Sequence, residues 1–142
     1  MVCTGNICRS PTMEAVARLR IETLGLGIRV DSAGTQGWHA GEAPDPRTIR
    51  VGEAAGFRLS HLRARKVEPA DFRDFDLILA ADRSHHETLV RMRPDGKTAR
   101  IALFLENGEV PDPYYGTEGD FHDVLGLVRR RLWRWKGDLS EF

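Results

Sequence analysis

Apolar and polar positions run along this chain in two rhythms. From Thr12 to Leu24 the apolar residues Met13, Val16, Ala17, Ile21 and Leu24 recur at helical spacing, and Gly25 stands where a helix can end in a left-handed turn. Ile28 to Ala33 reads as a short strand, and Gly34 to Pro46 as a Gly- and Pro-containing loop that carries Trp38. Arg47 to Ala55 predicts a second helix, closed by Gly56. The run Asp76-Leu77-Ile78-Leu79-Ala80-Ala81 suits a strand buried on both faces. Asp82 or Ser84 caps a helix that ends before Pro94, and Ala99 to Leu105 is another strand. A long last helix starts at Gly119 or Asp120 and runs to about Lys136, with Phe121, Val124, Leu125, Val128, Leu132 and Trp135 near one face. Strands and helices in alternation predict one α/β domain over 1–142. Its expected form is three-layered and doubly wound, a small four-stranded parallel sheet flanked by helices, with a site at the carboxyl ends of the strands.

Composition narrows the partners. The 21 Lys and Arg balance 21 Asp and Glu, so no global field points to nucleic acid or membrane. The segment from Arg129 to Lys136 mixes basic residues with Trp133 and Trp135, but the apolar face above reads it as an amphipathic terminal helix; Trp133 falls off that face. There is no long apolar run and no signal peptide. The two cysteines, Cys3 and Cys8, fit a reducing compartment and hence the cytoplasm. No cluster with metal-ligand spacing follows them, so neither metal nor cofactor is expected. His39, His85, His86 and His122 converge on nothing and are expected at the surface.

The chemistry concentrates at the start of the chain, in Cys3-Thr4-Gly5-Asn6-Ile7-Cys8-Arg9-Ser10-Pro11. A cysteine, five residues, an arginine and a helix start suit a loop that wraps one phosphate dianion. Successive N–H groups can turn inward as an anion nest backed by a helix N-terminus. Arg9 adds a planar fork for two oxygens. Gly5 permits a tight turn, Ser10 is a good N-cap and Pro11 a good first helical residue. A thiol at the base of such a cradle ionises readily and becomes a nucleophile. A second segment, Val110-Pro111-Asp112-Pro113-Tyr114-Tyr115-Gly116, offers what displacement of a phenol from phosphorus needs: a carboxylic acid to protonate the leaving oxygen, later a base for water.

Together these segments resemble the low-molecular-weight protein tyrosine phosphatases in their bacterial form, over nearly the whole chain. The resemblance implies that Cys3 attacks phosphorus to form a cysteinyl-phosphate. Arg9 would bind the equatorial oxygens, and Asp112 would serve as acid and then base. It implies a phosphate-binding loop of Thr4, Gly5, Asn6, Ile7, Cys8 and Ser10, with Ser10 donating to the Cys3 sulfur. Ser32 and His61 would join Asn6 in a loop-supporting network. Trp38, Tyr114 and Tyr115 would wall a pocket, and Ile7 stands where tyrosine-directed members carry isoleucine. Implied partners are phosphotyrosine-bearing proteins, a bacterial tyrosine kinase among them, met by a monomer or weak dimer.

The resemblance also implies a reversible Cys3–Cys8 disulfide under oxidation. It leaves rivals: an arsenate reductase of the same fold using an external thiol, a protein-arginine phosphatase, whose loop has threonine at the Ile7 position, and an inactive phosphate-binding or redox-sensing module. In the family the nucleophile follows a central apolar strand, whereas only Met1 and Val2 precede Cys3 here. The first strand is therefore expected to be truncated at its N-terminus. Either Met1 is an internal strand residue and the start is placed too late, or the chain is short, less stable, and rearranged or inactive.

Overall fold

The computed structural model describes all 142 residues. In chain order its elements are β1 (Val2–Cys3), α1 (Arg9–Leu24), β2 (Ala33–Gly34), α2 (Pro46–Ala54), α3 (Asp71–Asp74), β3 (Leu77–Ala80), α4 (Arg83–Met92), β4 (Arg100–Leu103) and α5 (Glu118–Arg134), with a 3-10 turn at Leu139–Glu141. The strands form one parallel sheet in the order β2-β1-β3-β4. This is the expected small, doubly wound sheet, and its order reverses between β1 and β3, where such sheets hold their sites.

Alternation along the strands divides the interior in two. Cys3, Leu79 and Ala81 face one core with Met13, Val16, Ala17 and Ile21 of α1 and Val124, Val128 and Leu132 of α5. Val2, Ile78 and Ala80 face the other, with Phe72 of α3 and Leu89 of α4. Both faces are covered, which explains why Asp76 to Ala81 reads as an unbroken apolar run. Gly25 ends α1 at φ 67, as its position predicts. Asp82, not Ser84, caps α4, accepting from His85 N at 3.1 Å. Arg20 donates to the carbonyls of Trp133 and Trp135 at 3.2 and 2.9 Å and lies over the Trp133 ring, so this tryptophan belongs to the closure of α5 against α1.

Several boundaries differ from the sequence reading, three of them with consequences for the site or the sheet. The helix expected from Thr12 starts at Arg9, with Cys8 as its cap and no side-chain bond there. Ser10 thus lies inside the first turn, and its hydroxyl is free for the loop. The last helix begins at Glu118, where Asp120 accepts the Thr117 N–H at 2.7 Å. The strand expected over Ile28 to Ala33 is only Ala33–Gly34. A strand needs a partner, and β1 offers two residues, Val2 opposite Ala33 and Cys3 opposite Gly34. On its other side β1 pairs only Val2 with Ala80.

Below Met1 the sheet therefore opens into a cavity of about 320 Å³, walled by Met1, Ile21, Ile28, Leu79, Leu132 and Trp135 among others. The Met1 ammonium donates to Asp31 O at 3.0 Å, and burial pushes its pKa down to about 6. Four apolar residues engineered ahead of Met1 would add ladder bonds on both sides, fill this space and remove the buried charge. Each buried aliphatic side chain contributes about 1.5–3 kcal/mol, offset by about 1–2 kcal/mol of backbone ordering per residue. The extended protein is expected to melt roughly 5–10 °C higher, by calorimetry, and a polar extension of equal length is expected to gain nothing.

Candidate active site

The loop between β1 and α1 owes its shape to bonds made by its carbonyls. Cys3 O accepts from Thr35 N at 2.8 Å, Thr4 O from Gln36 N at 3.0 Å and Ile7 O from Asp45 N at 2.8 Å. With these oxygens held by neighbouring segments, the N–H groups of Gly5, Asn6, Ile7 and Cys8 donate to nothing in the protein. Buried, unpaired N–H groups are rare, and here they cluster in one concave turn. Asn6 bends the turn with φ 57, the one positive value outside glycine. Gly34 lets the walls close, since a Cβ there would lie 2.5 Å from Thr4 O and 2.9 Å from Gln36 O.

Cys3 and Arg9 are 3% and 4% exposed, so the nucleophile candidate and its cation are both enclosed. Arg9 NH1 donates to Asp82 Oδ2 at 2.9 Å and to Val110 O at 3.1 Å, while NH2 lies 3.7 Å from Asp112 Oδ2. Burial opposes the charge of Asp82, but hydrogen bonds from Ser84, His85 N and Arg9 outweigh it and hold the carboxyl below its usual range. Asp82 is thus a fixed anion that orients the guanidinium. Asp112 is half exposed, with Oδ1 accepting from Tyr114 N at 3.1 Å.

A chain of polar groups supports the loop from beneath. Arg65 N donates to Asn6 Oδ1 at 3.0 Å, which fixes the amide orientation. Asn6 Nδ2 then donates to Ser10 Oγ at 2.8 Å and Ser32 Oγ at 2.9 Å. Ser32 Oγ donates to Glu14 Oε1 at 2.6 Å, and Arg18 bonds the other oxygen at 2.7 and 2.9 Å. Ser10 Oγ, already accepting from Asn6, lies 3.0 Å from Cys3 Sγ and 3.5 Å from Ala33 O, and the shorter contact takes its hydrogen to the sulfur.

The structure brings Cys3, Thr4, Gly5, Ile7, Cys8, Arg9, Trp38, Asp112, Tyr114 and Tyr115 around one pocket of about 180 Å³. Asn6, Ser10 and Ser32 lie in the supporting chain. His61 is exposed and outside that chain; the turn after Ser60 sends its ring to solvent while Leu62 packs on the core. Buried Glu14 and the Arg65 N–H hold the network instead. His39 and His85 also depart from the surface expectation: His39 lines the pocket and pairs with Glu42 at 2.6 Å, and His85 is 2% exposed. The sequence reading missed Asp82, Glu14, Gly34 and the pair Asp45–Arg47. Glu14 carried a faint signal, an acid among apolar neighbours four residues before Arg18.

Arg47 joins the two loops. It pairs with Asp45 at 2.9 Å, donates to Tyr114 O at 3.0 Å and lies over the Tyr114 ring. Cys8 differs from Cys3 in setting: burial, then the charge of Asp45, pushes its pKa up to about 12, so it stays a thiol at neutral pH. No group of three or more His, Cys, Asp or Glu is placed to hold a metal ion.

Gly34→Ala tests the loop's construction. Its Cβ would strike backbone rather than a flexible side chain, so the expected loss is about 2–4 kcal/mol of stability by denaturant titration, with weaker binding of inorganic phosphate.

A family model described as low molecular weight phosphotyrosine protein phosphatase matches residues 1–141. The Schizosaccharomyces pombe phosphatase of that description is 45% identical over 131 residues, covering 86% of this chain and 83% of its own. A low molecular weight protein-tyrosine-phosphatase of Streptomyces coelicolor is 44% identical over 138 residues, covering 89% and 84%. Among solved structures, a product-state mimic of a protein tyrosine phosphatase from Entamoeba histolytica superposes with a TM-score of 0.89 at 34% identity, covering 99% of this chain and 94% of that one. The tyrosine phosphatase Wzb from Escherichia coli K30, in complex with sulphate, gives 0.83 at 34% identity, covering 95% and 92%.

Proposed function

The chain belongs to the low molecular weight phosphotyrosine protein phosphatase family, and from that premise we propose how its own residues divide the work. The protein hydrolyses protein phosphotyrosine through a cysteinyl-phosphate. The observation that carries the reading is the cluster of four N–H groups without acceptors, curled beside Cys3 Sγ and the fixed Arg9 guanidinium. That arrangement fits the three non-bridging oxygens of a phosphoryl group, and the Escherichia coli relative is known in complex with sulphate, a tetrahedral anion of similar shape.

In the first step Cys3 Sγ attacks phosphorus and the bond to the tyrosyl oxygen breaks. Asp112 gives its proton to that oxygen, so the phenol leaves neutral. The loop N–H groups and Arg9 stabilise charge on the equatorial oxygens as they spread towards the transition state. In the second step Asp112 takes a proton from water, the water oxygen bonds phosphorus, and the S–P bond breaks. Ser10 Oγ, 3.0 Å from Cys3 Sγ, stabilises the departing sulfur anion. Trp38, Tyr114 and Ile7 line the pocket that receives the substrate ring. Tyr115, 94% exposed and edge-on to Tyr114, reaches the protein that bears the phosphotyrosine. An autophosphorylated bacterial tyrosine kinase is our proposed protein substrate, met in the cytoplasm by a monomer or weak dimer. No observation favours arsenate reduction, which would need an external thiol because the chain has no cysteine beyond Cys8.

Turnover of an aryl phosphate tests the division. Cys3→Ser is expected to abolish it, and Asp112→Asn to lower kcat by roughly 10²–10⁴ while phosphate binding persists. Full activity of either variant removes that residue from its role.

We also propose that Cys8 protects Cys3. Peroxide converts Cys3 to the sulfenic acid, and Cys8 Sγ attacks that sulfur, releasing water and forming a disulfide. Because burial keeps Cys8 protonated, disulfide formation is expected to quicken as pH rises from 7 to 9, read by mass spectrometry. Accumulation of Cys3 sulfonic acid without a bridge is the opposing result.

A further inference from the structure

The first turn of α4 lays one imidazole against the phosphate loop. His85 is 2% exposed, with Nε2 2.7 Å from Thr4 Oγ1. Its Nδ1 lies 3.0 Å from Asp82 Oδ1, off line for a hydrogen bond, and has no other partner. The other oxygen of Asp82 holds Arg9. One histidine therefore touches the residue that follows the nucleophile and the carboxylate that orients the loop's cation.

Electrostatics selects its form. The charged groups around the ring are Asp82 at the cap of its own helix, Arg9 from α1, and Asp112 and Glu109 from the segment after β4. Burial is the largest influence and, with Arg9, lowers the pKa below its ordinary value against the three carboxylates. The neutral ring has two tautomers. With the proton on Nε2, a lone pair on Nδ1 would face the Asp82 carboxylate. With the proton on Nδ1, the N–H dipole points at that carboxylate, and Nε2 is left as acceptor for the Thr4 hydroxyl.

We propose that His85 is a positioning residue for the reaction: as the Nδ1–H tautomer it accepts the Thr4 hydroxyl and faces Asp82, and so sets both the start of the phosphate loop and the anchor of Arg9. A protonated ring has no acceptor for Thr4, and its charge competes with Arg9 for Asp82. Phosphate affinity thus falls on the acid side, as pH drops from neutrality through the lowered pKa of His85.

The proposal rests on the phosphatase reading, but its test does not depend on turnover alone. Nitrogen-15 NMR of the wild-type protein at pH 7 is expected to show His85 neutral and protonated at Nδ1. An Nε2–H ring or an imidazolium overturns the proposal without any variant having to fold. His85→Leu is expected to lower kcat/KM for an aryl phosphate roughly tenfold and to weaken binding of inorganic phosphate several-fold. His85→Gln keeps an acceptor near the Nε2 position and is expected to stay within about threefold of wild type. The double variant with Thr4→Val is expected to lose no more than the worse single variant, since both cut one contact. On lowering pH, wild-type phosphate affinity falls more steeply than that of His85→Gln.

Unchanged His85→Leu kinetics, multiplying losses in the double variant, matching acid limbs, or a His85→Gln loss equal to that of His85→Leu and tracking its melting point would each overturn the proposal. A wild-type protein without turnover counts against the phosphatase reading, while the NMR and phosphate-binding arms still decide the role of His85.

Discussion

Everything at this site follows from carbonyl oxygens being held. The bonds from Thr35, Gln36 and Asp45 to the carbonyls of Cys3, Thr4 and Ile7 fix the outer side of the loop, and the N–H groups are left for an anion. A free peptide of the same sequence would hydrate those groups and lose the curvature. The scaffold meets the cost of unpaired donors through bonds made elsewhere, and a bound phosphoryl group recovers it. Arg9 is prepared in the same manner, since two acceptors of the protein itself, Asp82 Oδ2 and Val110 O, orient the guanidinium. Little reorganisation remains when the phosphorus centre reacts.

The support beneath the loop has a direction. Hydrogen bonds run from Arg65 N into Asn6, from Asn6 into Ser10 and Ser32, and from Ser32 into Glu14. Each group's role as donor or acceptor is set by its neighbour, so the Ser10 hydroxyl proton is directed at Cys3 by partners that never touch the substrate. Such a network holds one arrangement only while every member is satisfied. A change at Glu14, buried inside α1, therefore reaches the sulfur through four hydrogen bonds.

What the sequence disclosed and what it hid divide along chain separation. Cys3, Arg9 and Ser10 lie within eight residues and Asp112 sits between two prolines, so local spacing revealed them. The helical face of α5 and the apolar run of β3 were legible because burial imprints a period. Asp82 lies 73 residues from Arg9 and His85 lies 81 from Thr4, and neither has a local pattern that tells a cap or surface histidine from a partner of the loop. Gly34 looked like an ordinary turn residue until a carbonyl was found where its side chain would stand. His61 misled for the opposite reason: a plausible residue near the right place, turned outward by one step of backbone. The shortened β2 shows that a strand is a property of two segments, and Ile28 to Val30 lack the second.

Arg47 has a consequence for how the pocket walls are joined. By bonding Asp45, whose N–H holds Ile7, and the carbonyl of Tyr114, it ties the acid-bearing loop to the phosphate loop. Those two walls are bonded to each other through one guanidinium. The turn carrying Trp38, which is 72% exposed, has no side-chain hydrogen bond to the phosphate loop. That turn is tied to the phosphate loop through the backbone, by Thr35 N and Gln36 N, while the indole itself is a part of the pocket wall held by neither an ion pair nor a hydrogen bond.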